Sequence, residues 1–304
     1  MAKIQIVEMA LRDGLQNEAN YFSTAQRIQL TKRLCEAGLR RIELGAFVSP
    51  RWVPQMADSQ KLFKKVNLLK EQGKVSKACR FSALVPNLRG LEDAKNSGCN
   101  EVALFGAATE TFSKKNINVS VAQSLKQFSA VATEAKKKKI KLRAYLSTVF
   151  GCPYEGKVQE RKVLKLIEKY LDLGIYEISL GDTIGVANPK QVRSLLKKVK
   201  TIVDCKKVAL HFHDTRGTAL ANILASLDLG YTIFDSSLGG LGGCPYAPGA
   251  AGNVATEDVV YMLRGMGLKT SIDLPKLIAT TQWLNRRLGR ILPSKVSHAG
   301  DYNG

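Results

Sequence analysis

Short runs rich in β-branched and aromatic residues alternate with longer amphipathic runs along the whole chain. The β-type runs are Ile4–Met9, Arg41–Phe47, Phe81–Val85, Glu101–Gly106, Lys141–Ser147, Tyr176–Leu180, Val208–His213 and Ile233–Ser237. Between them apolar residues recur at helical spacing, as in Thr24–Ala37, Leu88–Asn96, Ser120–Lys139, Val158–Leu173, Pro189–Val203 and Thr218–Leu229. The strand runs do not alternate cleanly between apolar and polar, which is the pattern of strands buried on both faces. Eight strand–helix repeats within about 250 residues predict an α/β fold, a closed (β/α)8 or TIM barrel, rather than an open sheet.

Local signals agree with this parse. Ser23-Thr-Ala-Gln26 has the form of a capping box opening the first helix, and Pro189 suits the first turn of another. Gly38, Gly98, Gly174 and Gly230 each follow a helical run and precede a strand, where a left-handed residue closes the helix. No stretch reads as a linker, so the barrel is expected to fill residues 1–270. Residues 271–304 then add a helix over Leu274–Leu288, on or near the barrel, and a polar tail with the composition of a disordered end.

The composition, 45% hydrophobic and 24% charged over 304 residues, is that of an ordinary globular protein. No apolar run approaches the ~18 residues of a membrane span. The chain enters strand-like sequence almost at once, leaving no room for a signal or transit peptide. A cytoplasmic protein is expected, or a mitochondrial matrix protein if a transit peptide has been removed. Six cysteines without CxxC spacing point to a reducing compartment. The net charge of +20 could attract nucleic acid, a membrane surface or an anionic substrate. Most of it is spread over helices, and the densest run, Lys136–Lys139, sits where cations complement a helix end. With 7% aromatics and no basic–aromatic interleaving, neither a specific nucleic-acid partner nor a membrane is expected.

His211 and His213 are two of only three histidines in the chain. On an extended strand an i, i+2 pair faces one way, with Phe212 facing the other, and paired imidazoles make a candidate metal seat. Other unusual polar residues fall at matching places. Arg12-Asp13 follows the first strand, Glu43 lies within the second, Arg143 within the fifth, and Asp182 ends the sixth. After the eighth comes a glycine-rich segment, Gly239 to Asn253, that carries Cys244. In barrel enzymes the working residues collect at the carboxyl ends of the strands, so these distant segments should meet at one mouth. Gly-Cys-Pro-Tyr occurs twice, at 151–154 and 243–246, which places Cys152 and Cys244 at that mouth and leaves a redox pair between them open.

Arg12-Asp13-Gly14-Leu15-Gln16-Asn17-Glu18, Phe47-Val-Ser-Pro-Arg-Trp52-Val-Pro-Gln-Met56, Gly151-Cys152-Pro-Tyr-Glu-Gly156, Ser179-Leu-Gly-Asp182-Thr-Ile-Gly185, His211-Phe-His213-Asp214 and Gly242-Gly-Cys244-Pro-Tyr-Ala together carry a family resemblance. From about residue 4 to about residue 297 the chain resembles the 3-hydroxy-3-methylglutaryl-CoA lyases. These belong to the TIM-barrel metalloenzymes that also include isopropylmalate and homocitrate synthases and carboxytransferase domains. The resemblance implies cleavage of 3-hydroxy-3-methylglutaryl-CoA to acetyl-CoA and acetoacetate, the chemistry of leucine degradation and ketone-body formation. It makes Asp13, His211, His213 and Asn253 metal ligands, a mixed N/O set suited to Mg2+ or Mn2+.

The same resemblance implies a catalytic set of Arg12, Asp13, Glu43, His211 and Cys244. In it, Arg12 would hold charge on the thioester oxygen and Cys244 would help protonate the enolate carbon. Glu43 would orient Arg12 or contact the substrate hydroxyl, and the proton acceptor for that hydroxyl stays open between Asp13 and water. Gln16, Arg143, Ser179, Asp182, Asn285 and Arg287 are carried as substrate contacts; Arg287 stands where a lysine is expected, and Asp182 could equally be a strand-end cap. Ala19 and the stretch Leu44-Gly45-Ala46 depart from the family pattern. A lyase for a longer branched 3-hydroxyglutaryl-CoA and a condensing acyl-CoA synthase are the alternatives. An acyl-CoA is the expected partner, and a homodimer is left open.

Overall fold

A computed structural model describes residues 4–243 and 252–302. Eight strands, β1 Gln5–Glu8, β2 Arg41–Ala46, β3 Arg80–Leu84, β4 Glu101–Ala107, β5 Lys141–Ser147, β6 Glu177–Asp182, β7 Val208–Phe212 and β8 Ile233–Ser236, pair in parallel and in sequence order. β8 returns to β1 with Gln5 to Glu8 opposite Ile233 to Ser236, so the sheet is a closed barrel. Each strand boundary lies within two residues of the one expected from the pattern.

The helices are α1 Thr24–Glu36, α2 Ser59–Glu71, α3 Leu88–Asn96, α4 Glu110–Ile117, α5 Val121–Lys137, α6 Glu160–Asp172, α7 Pro189–Val199, α8 Ala219–Leu227, α9 Thr256–Gly265, α10 Leu274–Leu288 and α11 Lys295–Ala299. The capping box of α1 forms as its sequence suggests: Ser23 Oγ accepts from Gln26 N–H while the Gln26 side chain accepts from Ser23 N–H. Among the described residues no helix is long and apolar enough to cross a membrane.

The polar tail is not loose. Asp258 on α9 accepts hydrogen bonds from Ser294 Oγ (2.8 Å) and from Val296 N–H (2.9 Å), and Arg264 pairs with Asp301 at 2.6 Å. A buried carboxylate gathers the donors at the start of α11, an interaction between residues 36 positions apart that composition does not reveal.

Strand parity divides the molecule. The even residues of most strands, such as Ile6, Ile42, Leu104, Leu146, Leu180 and Phe234, pack outward against the helices in one large core. The odd residues turn inward. Val7, Met9, Ala103, Tyr145, Ala209 and Ile233 form a small apolar plug in the lumen. The rest of the lumen is ionic: Arg41 grips Glu177 with two hydrogen bonds of 2.7 and 2.9 Å, and Arg143 bridges Glu177 and Asp235, each at 2.6 Å. Buried charges are tolerable only when paired this closely. This ionic layer is the floor on which the polar mouth stands.

Candidate active site

The chain leaves β1 in one wide π turn, Ala10–Gly14, in which Gly14 N–H reaches back to Met9 C=O at 3.1 Å. Such turns are uncommon and tend to mark functional sites. This one aims Arg12 and Asp13 at the mouth of the barrel. The Arg12 side chain is almost fully buried: its Nε donates to Glu43 Oε2, and its Nη1 donates to Asp13 Oδ1 at 2.6 Å. Its guanidinium carbon sits 5.4 Å from the centre of the Tyr145 ring. Among the described residues no acceptor engages Nη2, and Arg12 borders the large cavity at the mouth. Burial alone would favour the uncharged form, but Glu43 and Asp13 outweigh it and hold this guanidinium firmly protonated.

Glu43, deep on β2, also accepts from the Tyr145 hydroxyl at 3.0 Å and does not border the cavity. Its place behind Arg12 favours orientation of the guanidinium over contact with a substrate hydroxyl.

Asp13, His211 and His213 present ligand atoms that all lie within 4.8 Å of one another. The two Nε2 atoms are 3.2 Å apart, and Asp13 Oδ2 is 3.9 Å from His211 Nε2. Burial pushes the Asp13 carboxyl up, but Arg12, the two imidazoles and Asn253 N–H together hold it at about 2. Burial pushes the His213 imidazole down to about 3, aided by His211, which leaves a neutral ring with a free lone pair. Asn253 pairs with His213 in an isolated bridge just after β7 and donates Nδ2–H to Asp13 Oδ2 at 2.8 Å. Its Oδ1 is buried with no hydrogen-bond partner among the described residues. Carboxylate, two imidazoles and an unspent amide oxygen in one place fit a divalent cation with mixed N/O preference.

The cavity above this cluster has a volume of about 920 Å3. Gln16 and Ser179 border it as expected, Gln16 donating to Asp13 Oδ1 at 3.1 Å and Ser179 to Asp235 Oδ2 at 2.7 Å. Lys114 and Lys115 border it at the end of α4, as does Trp52, which is 87% exposed.

Four expected substrate contacts fall elsewhere. Arg143 is wholly buried below the cavity, its donors taken by Glu177, Asp235 and the Tyr145 hydroxyl. Asp182 spends both oxygens on Val186 and Ala187 N–H, each at 3.0 Å, and is a strand-end cap whose carboxyl burial pushes up to about 6. Asn285 accepts from Leu292 N–H at 3.0 Å, turning the chain after α10, and Arg287 is exposed beside Trp283; neither borders the cavity. Ala19, Leu44, Gly45 and Ala46 do not border it either, so these departures do not form its walls. Cys244 lies outside the described residues. Cys152 is a buried free thiol that accepts from Thr109 Oγ1 at 3.2 Å.

Sequence reasoning missed the residues behind the mouth, namely Tyr145, Glu177 and Asp235, along with two buried glutamates at the exit of β8. Glu8 accepts from Ala10 N–H, Leu238 N–H and Thr256 Oγ1, while Glu257 accepts from Gly239 N–H and Thr281 Oγ1. Together they fix the segment that leads towards Cys244. Burial pushes the Glu8 carboxyl up to about 7 and that of Glu257 up to about 8. An acid raised in the fold keeps its proton while the unfolded chain loses it, so stability should fall as pH rises from the ordinary 4.5 towards 7. Glu8→Gln removes that slope, and the variant should gain up to about 3 kcal/mol on the wild type across this interval. Urea unfolding at pH 5 and pH 7.5 measures it; a difference that does not vary with pH contradicts the assignment.

A protein-family model described as HMGL-like matches residues 3–284. The chain is 47% identical over 293 residues to the hydroxymethylglutaryl-CoA lyase of Bacillus subtilis, covering 96% of each protein. It is 48% identical to the mitochondrial hydroxymethylglutaryl-CoA lyase of Arabidopsis thaliana over 97% of this chain, and spans 62% of that protein's length. Among solved structures, an HMG-CoA lyase from Acinetobacter baumannii in complex with coenzyme A and 3-methylmalate superposes with a TM-score of 0.93 at 39% identity, covering 99% of this chain and 96% of that one. The chain belongs to the HMGL-like family, where it stands beside the hydroxymethylglutaryl-CoA lyases.

Proposed function

We propose that this protein is a metal-dependent carbon–carbon lyase that splits 3-hydroxy-3-methylglutaryl-CoA into acetyl-CoA and acetoacetate. The observation that carries this reading is a buried guanidinium, Arg12, locked by Glu43 and Asp13 and set beside the Asp13–His211–His213 cluster in one cavity. The reaction breaks the C2–C3 bond, leaves its electron pair as a thioester enolate and moves the hydroxyl proton, in net terms, to C2. Mg2+ or Mn2+ held by Asp13, His211, His213 and Asn253 Oδ1 would make the tertiary hydroxyl more acidic. Arg12 offers Nη2 to the thioester oxygen, where charge develops, and needs no reorganisation because Glu43 already holds it. Asp13 and water are the candidates to receive the hydroxyl proton, and Cys244 is proposed to protonate the enolate carbon. Lys114 and Lys115 give one side of the cavity the positive charge that a phosphate-rich CoA handle requires.

Purified protein with Mg2+ or Mn2+ should convert the hydroxymethylglutaryl thioester to acetoacetate and acetyl-CoA, and EDTA should abolish turnover until the ion is restored. Activity indifferent to EDTA, or only condensation of acetyl-CoA with a 2-oxo acid, would sink this reading. Ala19 and Leu44–Ala46 lie away from the cavity and give no support to a lyase for longer branched chains.

A further inference from the structure

His211 and His213 offer Nε2 to the same point, but their far nitrogens differ. Both Nδ1 atoms are buried and neither makes a hydrogen bond of good geometry among the described residues, so the difference lies in what stands beside them. His211 Nδ1 lies 3.4 Å from Asp235 Oδ2, a close approach to a carboxylate that falls short of hydrogen-bond geometry but favours N–H over a lone pair on that side, and the two residues stand opposite each other in the β7–β8 register. Asp235 is buried and does not border the cavity, so substrate is not what it meets. It is held from two further strands: Oδ1 accepts from Arg143 Nη2 at 2.6 Å and Oδ2 from Ser179 Oγ at 2.7 Å. A carboxylate fixed there can hold the ring hydrogen of His211 on Nδ1, which leaves the Nε2 lone pair facing Asp13 and His213. The 3.2 Å contact between the two Nε2 atoms needs one hydrogen, and with His211 so fixed His213 must supply it in the cation-free protein.

We infer that Asp235 is a positioning residue that selects the Nδ1–H tautomer of His211, and that Arg143 and Ser179 are the struts that keep it in place. The consequence for cation affinity rests on the proposed function; the tautomer itself does not.

The test uses imidazole 15N shifts of the EDTA-treated full chain at pH 8, where three histidines give a readable spectrum. The wild type should show His211 protonated on Nδ1 and His213 on Nε2. Asp235→Asn should lose this pattern at His211 and bind Mn2+ about 10- to 100-fold more weakly by calorimetry. Ser179→Ala, which keeps the carboxylate, should retain the tautomer. A wild-type His211 carrying its hydrogen on Nε2 overturns the inference whether or not the variants fold. So does a folded Asp235→Asn protein with an unchanged tautomer. Loss of the tautomer in a protein with no lyase activity would leave the positioning role standing and defeat the proposed substrate instead.

Discussion

Replacing Arg12 by glutamine should lower kcat by about 1000-fold or more while Mn2+ affinity stays within about tenfold of the wild type. The guanidinium pairs with buried Glu43 and with Asp13, while Arg12 borders the cavity and its Nη2 meets no acceptor among the described residues. Glutamine can mimic one hydrogen bond but carries no charge to offer a developing enolate. Asp13 keeps its contacts with Gln16 and Asn253, so the proposed cation ligands stay in register. Removing one partner of a buried ion pair should also cost about 3 kcal/mol of stability, since Glu43 then retains only the Tyr145 hydroxyl. The comparison is therefore made below the melting range, with kcat from steady-state kinetics and Mn2+ binding from calorimetry. A loss below tenfold, or cation binding that disappears along with activity, would refute the role assigned to Arg12.

Arg143→Met should destabilise the fold by about 3–5 kcal/mol, more than any other single change considered for the lumen. Methionine restores much of the volume but none of the charge. Arg143 makes hydrogen bonds of 2.6 to 2.7 Å to Glu177, Asp235 and Tyr145, all buried. Glu177 would keep Arg41, whereas Asp235 would keep only Ser179 and the more distant His211. Burial pushes the Asp235 carboxyl up, but Arg143 and His211 together outweigh it and hold the group well below its ordinary range, so without Arg143 it would be driven towards protonation. Urea unfolding measures the loss, and adding Asp235→Asn to Arg143→Met should return part of it. A loss under about 1 kcal/mol would show that water reaches this layer and screens it.

The sequence made the barrel and the Asp13–His211–His213 cluster legible for the same reason. Doubly buried strands and helix-ending glycines leave local traces, and the carboxyl ends of such strands are where His211, His213 and Arg12-Asp13 had to lie. What failed was reading which face a charged strand residue serves. Arg143 stands near the mouth in sequence, but lumen parity claims it for structure, and of the two roles open to Asp182 its tight turn takes the strand-end cap. Tyr145, Glu177 and Asp235 share the inward parity of Arg143 and His211, so alternation counted along β5, β6 and β8 together would have found them. Asn285 misled because its partner, Leu292, is set by the turn after α10. The order of the tail was hidden in Asp258, an acidic residue whose only signal is burial.

The proposed cation ligands have a consequence for how the molecule is made. Asp13 and Asn253 are separated by 240 residues yet share a hydrogen bond across the line where the first strand meets the last. A chain emerging from the ribosome cannot offer this seat until Asn253, beyond the last barrel strand, has been synthesised, so the ion would join a finished cylinder rather than template one. Once seated, it would act as a clasp on that seam, and stripping it should loosen the amino-terminal strand first.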